Sequence, residues 1–366
     1  MANSLSHNGA LDISKIAGNG SDELKQLLGD IGEFFHTRRA AGMSTSGFGE
    51  AIQRRLRVTE ISINKKAEEE RKTEARVVME IEVHEDMLNG GGNIHGGCSA
   101  FLVDVCSSIT LIAMVKEIQG TLVASVSQSL NLVYHSPAQL GDTLRIVNTT
   151  LTVGARAHSV RTERCRSDLI LTIPKAMSDS FSNDSGFDIS KIAGNCSEET
   201  KQLLGNIRTF LRFGGKEGTT QFGDAIQSRL RVTEMTVNKK VEEENKLEAK
   251  VVMEIEVQED MLNPGGNVHG GCSAFLVDVC SSISLYAMIL STQGTMYMTV
   301  TQTLDSVYHS PAQPGDTLRI VNITLTLGAR SHSARTEIWN VTKHRLVASG
   351  THVKMVPSPL HVEPKL

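Results

Sequence analysis

"NIHGGCSAFLVDVCSS" runs from Asn93 to Ser108, and "NVHGGCSAFLVDVCSS" runs from Asn267 to Ser282. In each, an aspartate stands nine residues after the histidine of a His-Gly-Gly: Asp104 after His95, Asp278 after His269. From Cys98 to Val115 Asp104 is the only formally charged side chain, and the stretch is apolar on every face. That is long for a strand and lacks the polar stripe of a surface helix, so it predicts a buried helix. The run is also long enough to be weighed as a membrane span. An aspartate at its middle would cost about 2.5–3.5 kcal/mol there, whereas the segments on both sides read as strands that can cover the helix. No membrane span is expected.

Outward from the motif, the whole chain repeats. "MANSLSHNGALDISKIAGN" at Met1 aligns with "MSDSFSNDSGFDISKIAGN" at Met177, a shift of 176. Past a two-residue contraction near Arg212 the shift is 174, which carries Phe48 onto Phe222, His95 onto His269, Tyr134 onto Tyr308 and Arg156 onto Arg330. Solenoid units run about 20–50 residues, so this period is a tandem domain duplication. The expected domains are 1–176 and 177–366.

Within each copy the pattern changes character. Ser21, Asp22 and Glu23 form a helix start, and Leu24, Leu27, Leu28, Ile31 and Phe35 recur at helical spacing, predicting an N-terminal helix over 21–36. "RVTEISI" and "ARVVMEIEV" before the motif, then "LVASVSQSLNLVYHS", "TLRIVNTTLTVG" and "AHSVRTE" after it, alternate and are rich in β-formers. They predict antiparallel strands and an α+β class. The copies differ at their ends. The second closes with "RTEIWNVTKHRLVASGTHVKMV", which reads as two strands, where the first has "RTERCRSDLILTIPKAM". The first half therefore has shortened C-terminal strands. Its last hairpin is expected to be truncated or rebuilt from "DLILTIP", exposing an edge or borrowing a strand.

Lys+Arg 37 against Asp+Glu 41 in 366 residues gives a net charge of -4 with no basic block, which argues against nucleic acid. Six cysteines without CxxC spacing suggest reduced, buried thiols and no metal site. The N-terminus has the pattern of neither an export nor a transit signal, so an intracellular protein is expected. The cytoplasm is favoured over mitochondrion or peroxisome, although Pro364-Lys365-Leu366 is similar to a degenerate peroxisomal ending.

The sequence resembles the hotdog-fold acyl-CoA thioesterases of the PaaI-like kind. The residues that carry the resemblance are Asn89, His95-Gly96-Gly97, Asp104, Ser127 and "YHSPA" from Tyr134, repeated as Asn263, His269-Gly270-Gly271, Asp278, Thr301 and Tyr308. It implies two tandem hotdog domains, each a long buried helix wrapped by an antiparallel β-sheet, paired as a pseudo-dimer. It further implies an acyl-CoA substrate, no cofactor beyond the substrate's own CoA, and two active sites at the pair interface. Further association into a homodimer is compatible with it. By resemblance, Asn89 and Asn263 position the histidine or the substrate, while Ser127 and Thr301 hold the attacking water.

The spacing argues for pairing independently. Nine residues of helix advance about 13.5 Å and turn about 900°, half a turn beyond two circles, so His95 and Asp104 cannot share one site. Two antiparallel helices would instead bring Asp278 to His95-Gly96 and Asp104 to His269-Gly270. Thioester hydrolysis needs a donor for the carbonyl oxygen as it gains charge, and a carboxylate for water. Gly96 and Gly270 open their helices, where a free backbone N–H and the helix dipole favour negative charge. Asp104 and Asp278 serve as general base or as nucleophile. Arg156 and Arg330, in "GARAH" and "GARSH", are candidates for gripping CoA phosphates.

Plainer readings stay open. The histidines can be helix caps, the aspartates buried partners of those caps, and the arginines solvated hairpin residues. Cys98 and Cys272 have no second histidine placed to activate them and are read as packing. An enoyl-CoA hydratase or dehydratase is the alternative enzyme, but the Asp-x4-His motif or helix glutamate usual in such enzymes is not found. A non-catalytic acyl-CoA-binding protein is the third reading.

Overall fold

The computed structural model describes residues 11–39, 47–66, 69, 71–122, 125–154, 157–166, 187–212, 220–241, 243 and 245–357. Two short helices stand where one was expected over 21–36. Ser21 caps α1 (Asp22–Leu28) by accepting from the Leu24 amide, with Asp22 and Glu23 at the positive end of the helix. Asp30 then takes extended backbone and caps α2 (Ile31–His36), its Oδ1 accepting from the Glu33 amide at 2.9 Å. The helical spacing of the leucines is real, but a side chain that bonds its own backbone interrupts it.

The first half continues with α3 (Glu50–Gln53), β1 (Arg57–Lys65), β2 (Thr73–Glu82), α4 (Gly96–Gln119), β3 (Ser129–Val133), β4 (Thr143–Val153) and β5 (His158–Arg166). The second half repeats the series as α5 (Glu198–Gly205), α6 (Ile207–Leu211), α7 (Asp224–Gln227), β6 (Arg231–Lys239), β7 (Leu247–Glu256), α8 (Gly270–Gln293), β8 (Val300–Tyr308), β9 (Thr317–Leu327) and β10 (Ser331–Asn340). It then adds β11 (Arg345–Met355). Each long helix has 24 residues, about 36 Å, and lies against an antiparallel sheet, the hotdog arrangement.

The sheets show how the copies differ. Four strands in the order β1-β2-β4-β5 cover α4, and seven in the order β3-β8-β11-β10-β9-β7-β6 cover α8. The first half's β3 thus belongs to the second half's sheet, pairing with β8 from Ser129↔Val307 to Val133↔Thr303. It has five residues against the nine of β8, and β8 has partners on both sides where β3, among the described residues, has one. Among those residues β5 is a sheet edge, and "DLILTIP", Asp168–Pro174, lies outside them. The consequence is visible on the helices. Val277, Ser281, Ser282, Leu285 and Tyr286 of α8 are buried, whereas Val103, Ser107, Ser108, Leu111 and Ile112 of α4 are half-buried.

Both helices are long and apolar enough to cross a membrane, yet 72% and 94% of their apolar windows are buried inside the fold. Their first turns cross closely. A Cβ on Gly97 would meet Phe275 Cα at 3.0 Å, and one on Gly271 would meet Phe101 Cα at 2.9 Å, so only glycine permits this approach. The order of these contacts makes the helices antiparallel.

Candidate active site

Two loops bring the ends of the helices together. Asn89 Oδ1 accepts from the amides of Gly91 (2.9 Å) and Asn93 (3.3 Å), folding an Asx-type turn that delivers His95 to the start of α4. Asn263 does the same for Gly265 and Asn267 ahead of α8. Each loop is also held by the other half. The Phe222 amide donates to Leu88 O at 3.1 Å, and the Phe48 amide to Leu262 O at 3.0 Å. Phe48 and Phe222 stack edge-on at 5.5 Å between Phe101 and Phe275, with His269 and His95 against the outer faces. This aromatic block, which the sequence pattern did not single out, fixes both histidines.

At the start of α4 the Gly97 amide is shared between Asp278 Oδ2 at 2.9 Å and His95 Nδ1 at 3.0 Å, and the two acceptors are 3.2 Å apart. At the start of α8 the Gly271 amide is shared between Asp104 Oδ2 at 3.0 Å and His269 Nδ1 at 2.9 Å. Each histidine is therefore a helix cap, and each aspartate caps the opposite helix. The amides of Gly96 and Gly270, one residue earlier, have no acceptor among the described residues. A Cβ on Gly96 would lie 2.8 Å from Asp278 Oδ2, and one on Gly270 2.9 Å from Asp104 Oδ2. Tyr134 and Tyr308 brace the turns, their hydroxyls donating to Gly96 O (2.9 Å) and Gly270 O (3.1 Å).

The second oxygen of each carboxylate faces a hydroxyl. Ser127 Oγ donates to Asp104 Oδ1 at 2.7 Å, and Thr301 Oγ1 reaches Asp278 Oδ1 at 3.2 Å. Burial alone would raise both carboxyl pKa values. Contact with the His95 imidazole on Asp278, and with the His269 imidazole, Ser127 and the Gly271 amide on Asp104, outweighs it and holds both below the usual carboxylate range. Both are ionised at neutral pH. Burial conversely pushes the Cys98 and Cys272 thiols far up, which removes them as thiolate nucleophiles.

Asn89, His95 and Gly96 are thus gathered with Asp278 and Thr301, and Asn263, His269 and Gly270 with Asp104 and Ser127. Arg330 is not among them; it sits exposed in the turn between β9 and β10. Arg156 lies outside the described residues. A shallow cavity lined by Phe35, Phe48, Gln53, Leu262 and Pro264 opens at His269. Among the described residues no group of three His, Cys, Asp or Glu is arranged to hold a metal ion.

A family profile described as the thioesterase superfamily matches residues 91–171 and 265–347, once in each copy. Mouse acyl-coenzyme A thioesterase 13 is 33% identical over 105 residues, 29% of this chain and 71% of that protein. The human protein of the same name is 31% identical over the same shares. Among solved structures, zebrafish thioesterase superfamily member 2 has 28% identity and a TM-score of 0.29, covering 37% of this chain and 86% of its own. The duplicated motif, the profile match in each copy and the likeness to the acyl-coenzyme A thioesterases agree: the chain belongs to the thioesterase superfamily and is a thioester hydrolase.

Proposed function

We propose that the chain is an intracellular acyl-CoA thioesterase with two composite sites, each using a carboxylate from one half and a helix N-terminus from the other. Its two domains are assigned to residues 1–176 and 177–366. The acyl-CoA substrate is supported by the likeness to acyl-coenzyme A thioesterase 13. In one site Asp278 works with His95, Gly96 and Asn89; in the other Asp104 works with His269, Gly270 and Asn263. The thioester carbonyl is held against the Gly96 or Gly270 N–H, where the helix dipole stabilises the oxyanion more than the ground state, an effect typically worth about 10²–10³-fold. Water bound between carboxylate Oδ1 and the Ser127 or Thr301 hydroxyl gives its proton to the aspartate as it attacks carbon. The tetrahedral intermediate then collapses, expelling the CoA thiolate, which takes up a proton. The general-base role is favoured over direct attack by one observation: Oδ2 is already engaged by the Gly97 or Gly271 amide, while Oδ1 stands beside a hydroxyl able to hold water.

Arg330, exposed beyond the site, is a candidate contact for CoA phosphates, and a higher KM with unchanged kcat in Arg330→Ala would support that role. The reaction is tested by following free thiol from a series of acyl-CoAs of increasing chain length. Thiol release is expected, and release from none of them would contradict the substrate assignment. Water addition to an enoyl-CoA without thiol release would point to a hydratase.

A further inference from the structure

Two polar side chains that this mechanism does not use reach the Asp278 site from β11. His352 is 0% exposed, with Nδ1 2.6 Å from Ser281 Oγ and Nε2 3.0 Å from Thr301 Oγ1 and 3.4 Å from Asp278 Oδ1. Lys354, two residues on and on the same face, donates to Ser282 Oγ at 3.1 Å. Among the described residues the Asp104 site has no counterpart. No histidine occurs between His158 and His269, and the 174-residue shift carries His352 onto Ser178.

Resting on the reading that the aspartates activate water, we propose that His352 is a positioning residue of the Asp278 site: it draws the Thr301 hydroxyl proton away from Asp278, freeing that carboxylate for water and making this the faster of two unequal sites.

Counting protons leads there. Ser281 has one hydroxyl proton and a helical acceptor, Val277 O, at 2.5 Å. Its oxygen then accepts from His352 Nδ1–H, which leaves the lone pair of a neutral imidazole on Nε2. Burial keeps the ring neutral, pushing its pKa down to about 3; Asp278 opposes this, and Lys354 and His95 reinforce it. Thr301 has one proton and two acceptors, and the imidazole at 3.0 Å is nearer than Oδ1 at 3.2 Å. Ser127 has the 2.7 Å bond to Asp104. Asp104 must surrender that bond to take water, whereas Asp278 has none to surrender once the Thr301 proton lies toward His352.

The test uses the full chain, medium-chain acyl-CoA and thiol detection, with each site isolated by removing the other carboxylate. Asp104→Asn, leaving the Asp278 site, is expected to retain the larger kcat. Adding His352→Leu should lower kcat about tenfold with KM within twofold, and His352→Gln, which offers an acceptor to Thr301, should recover part of it. In the Asp278→Asn background His352→Leu should change kcat less than twofold. With Thr301→Val already present, His352→Leu should cost nothing further, because it acts through that hydroxyl. If the leucine variant does not fold, His352→Asn, too short to reach Thr301, should show the same loss. Equal kcat in the two single-site enzymes, or equal loss in both backgrounds, would overturn this proposal alone. Full activity in Asp104→Asn/Asp278→Asn would overturn the carboxylate mechanism with it.

Discussion

Asp278 and Gly97 are 181 residues apart in the chain and 2.9 Å apart in space, carboxylate oxygen to backbone amide. Asp104 and Gly271 repeat the contact across the pseudo-twofold at 3.0 Å. An ionised carboxylate in an apolar interior is costly unless hydrogen bonds satisfy it, and a helix N-terminus offers unpaired donors with favourable charge. Each satisfies the other.

The two glycines of each motif should fail differently. A Cβ at Gly96 meets the Asp278 carboxylate, whereas one at Gly97 meets Phe275, backbone included, at 2.7–3.0 Å. Gly96→Ala should displace the carboxylate and lower kcat at that site about 10²-fold with little change in Tm. Gly97→Ala should instead destabilise the fold by about 1–3 kcal/mol, the usual cost of overpacking. Comparing kcat with chemical denaturation of both variants, each in the Asp104→Asn background, separates the two.

Phe48 and Phe222 tie each half to the loop that precedes the opposite long helix. Phe48→Ala should cost about 3–5 kcal/mol, as for other buried aromatics. Since Phe48 stacks on His269 and its amide holds Leu262, the Asp104 site should lose more activity than the Asp278 site. Single-site backgrounds would show the asymmetry, and Phe222→Ala should reverse it.

His352 also predicts a pH dependence of stability. Its pKa falls from 6.5 to about 3 on folding. Below about pH 6.5 the unfolded chain binds a proton that the fold excludes, so its contribution is complete above that value and lost as pH falls toward 3. The slope is about 1.4 kcal/mol per pH unit, or about 2 kcal/mol between pH 6.5 and 5. Denaturation at both pH values should show His352→Gln losing less stability on acidification than the parent. Identical losses would contradict the buried neutral ring.

Much of this was legible because the signals were local. An apolar run broken by one aspartate specifies a buried helix, and nine residues of helical rise separate His95 from its own Asp104. The break at Asp30 was missed because helical periodicity runs across it, and only the cap geometry distinguishes one helix from two. The aromatic block went unrecognised for a different reason: Phe48 lies far in sequence from every ring it touches except through the fold. His352 gave the weakest signal, a polar residue at an inward position of an alternating strand, with partners about 51 and 71 residues away.

The central claim is that two carboxylates act independently across the pairing of the halves. Single-turnover rates of acyl-CoA hydrolysis for Asp104→Asn, Asp278→Asn and the double variant test it most directly. The account predicts partial loss in each single variant and loss of about 10²-fold or more only in the double. Undiminished hydrolysis in the double variant, or complete loss from either single change, would contradict it.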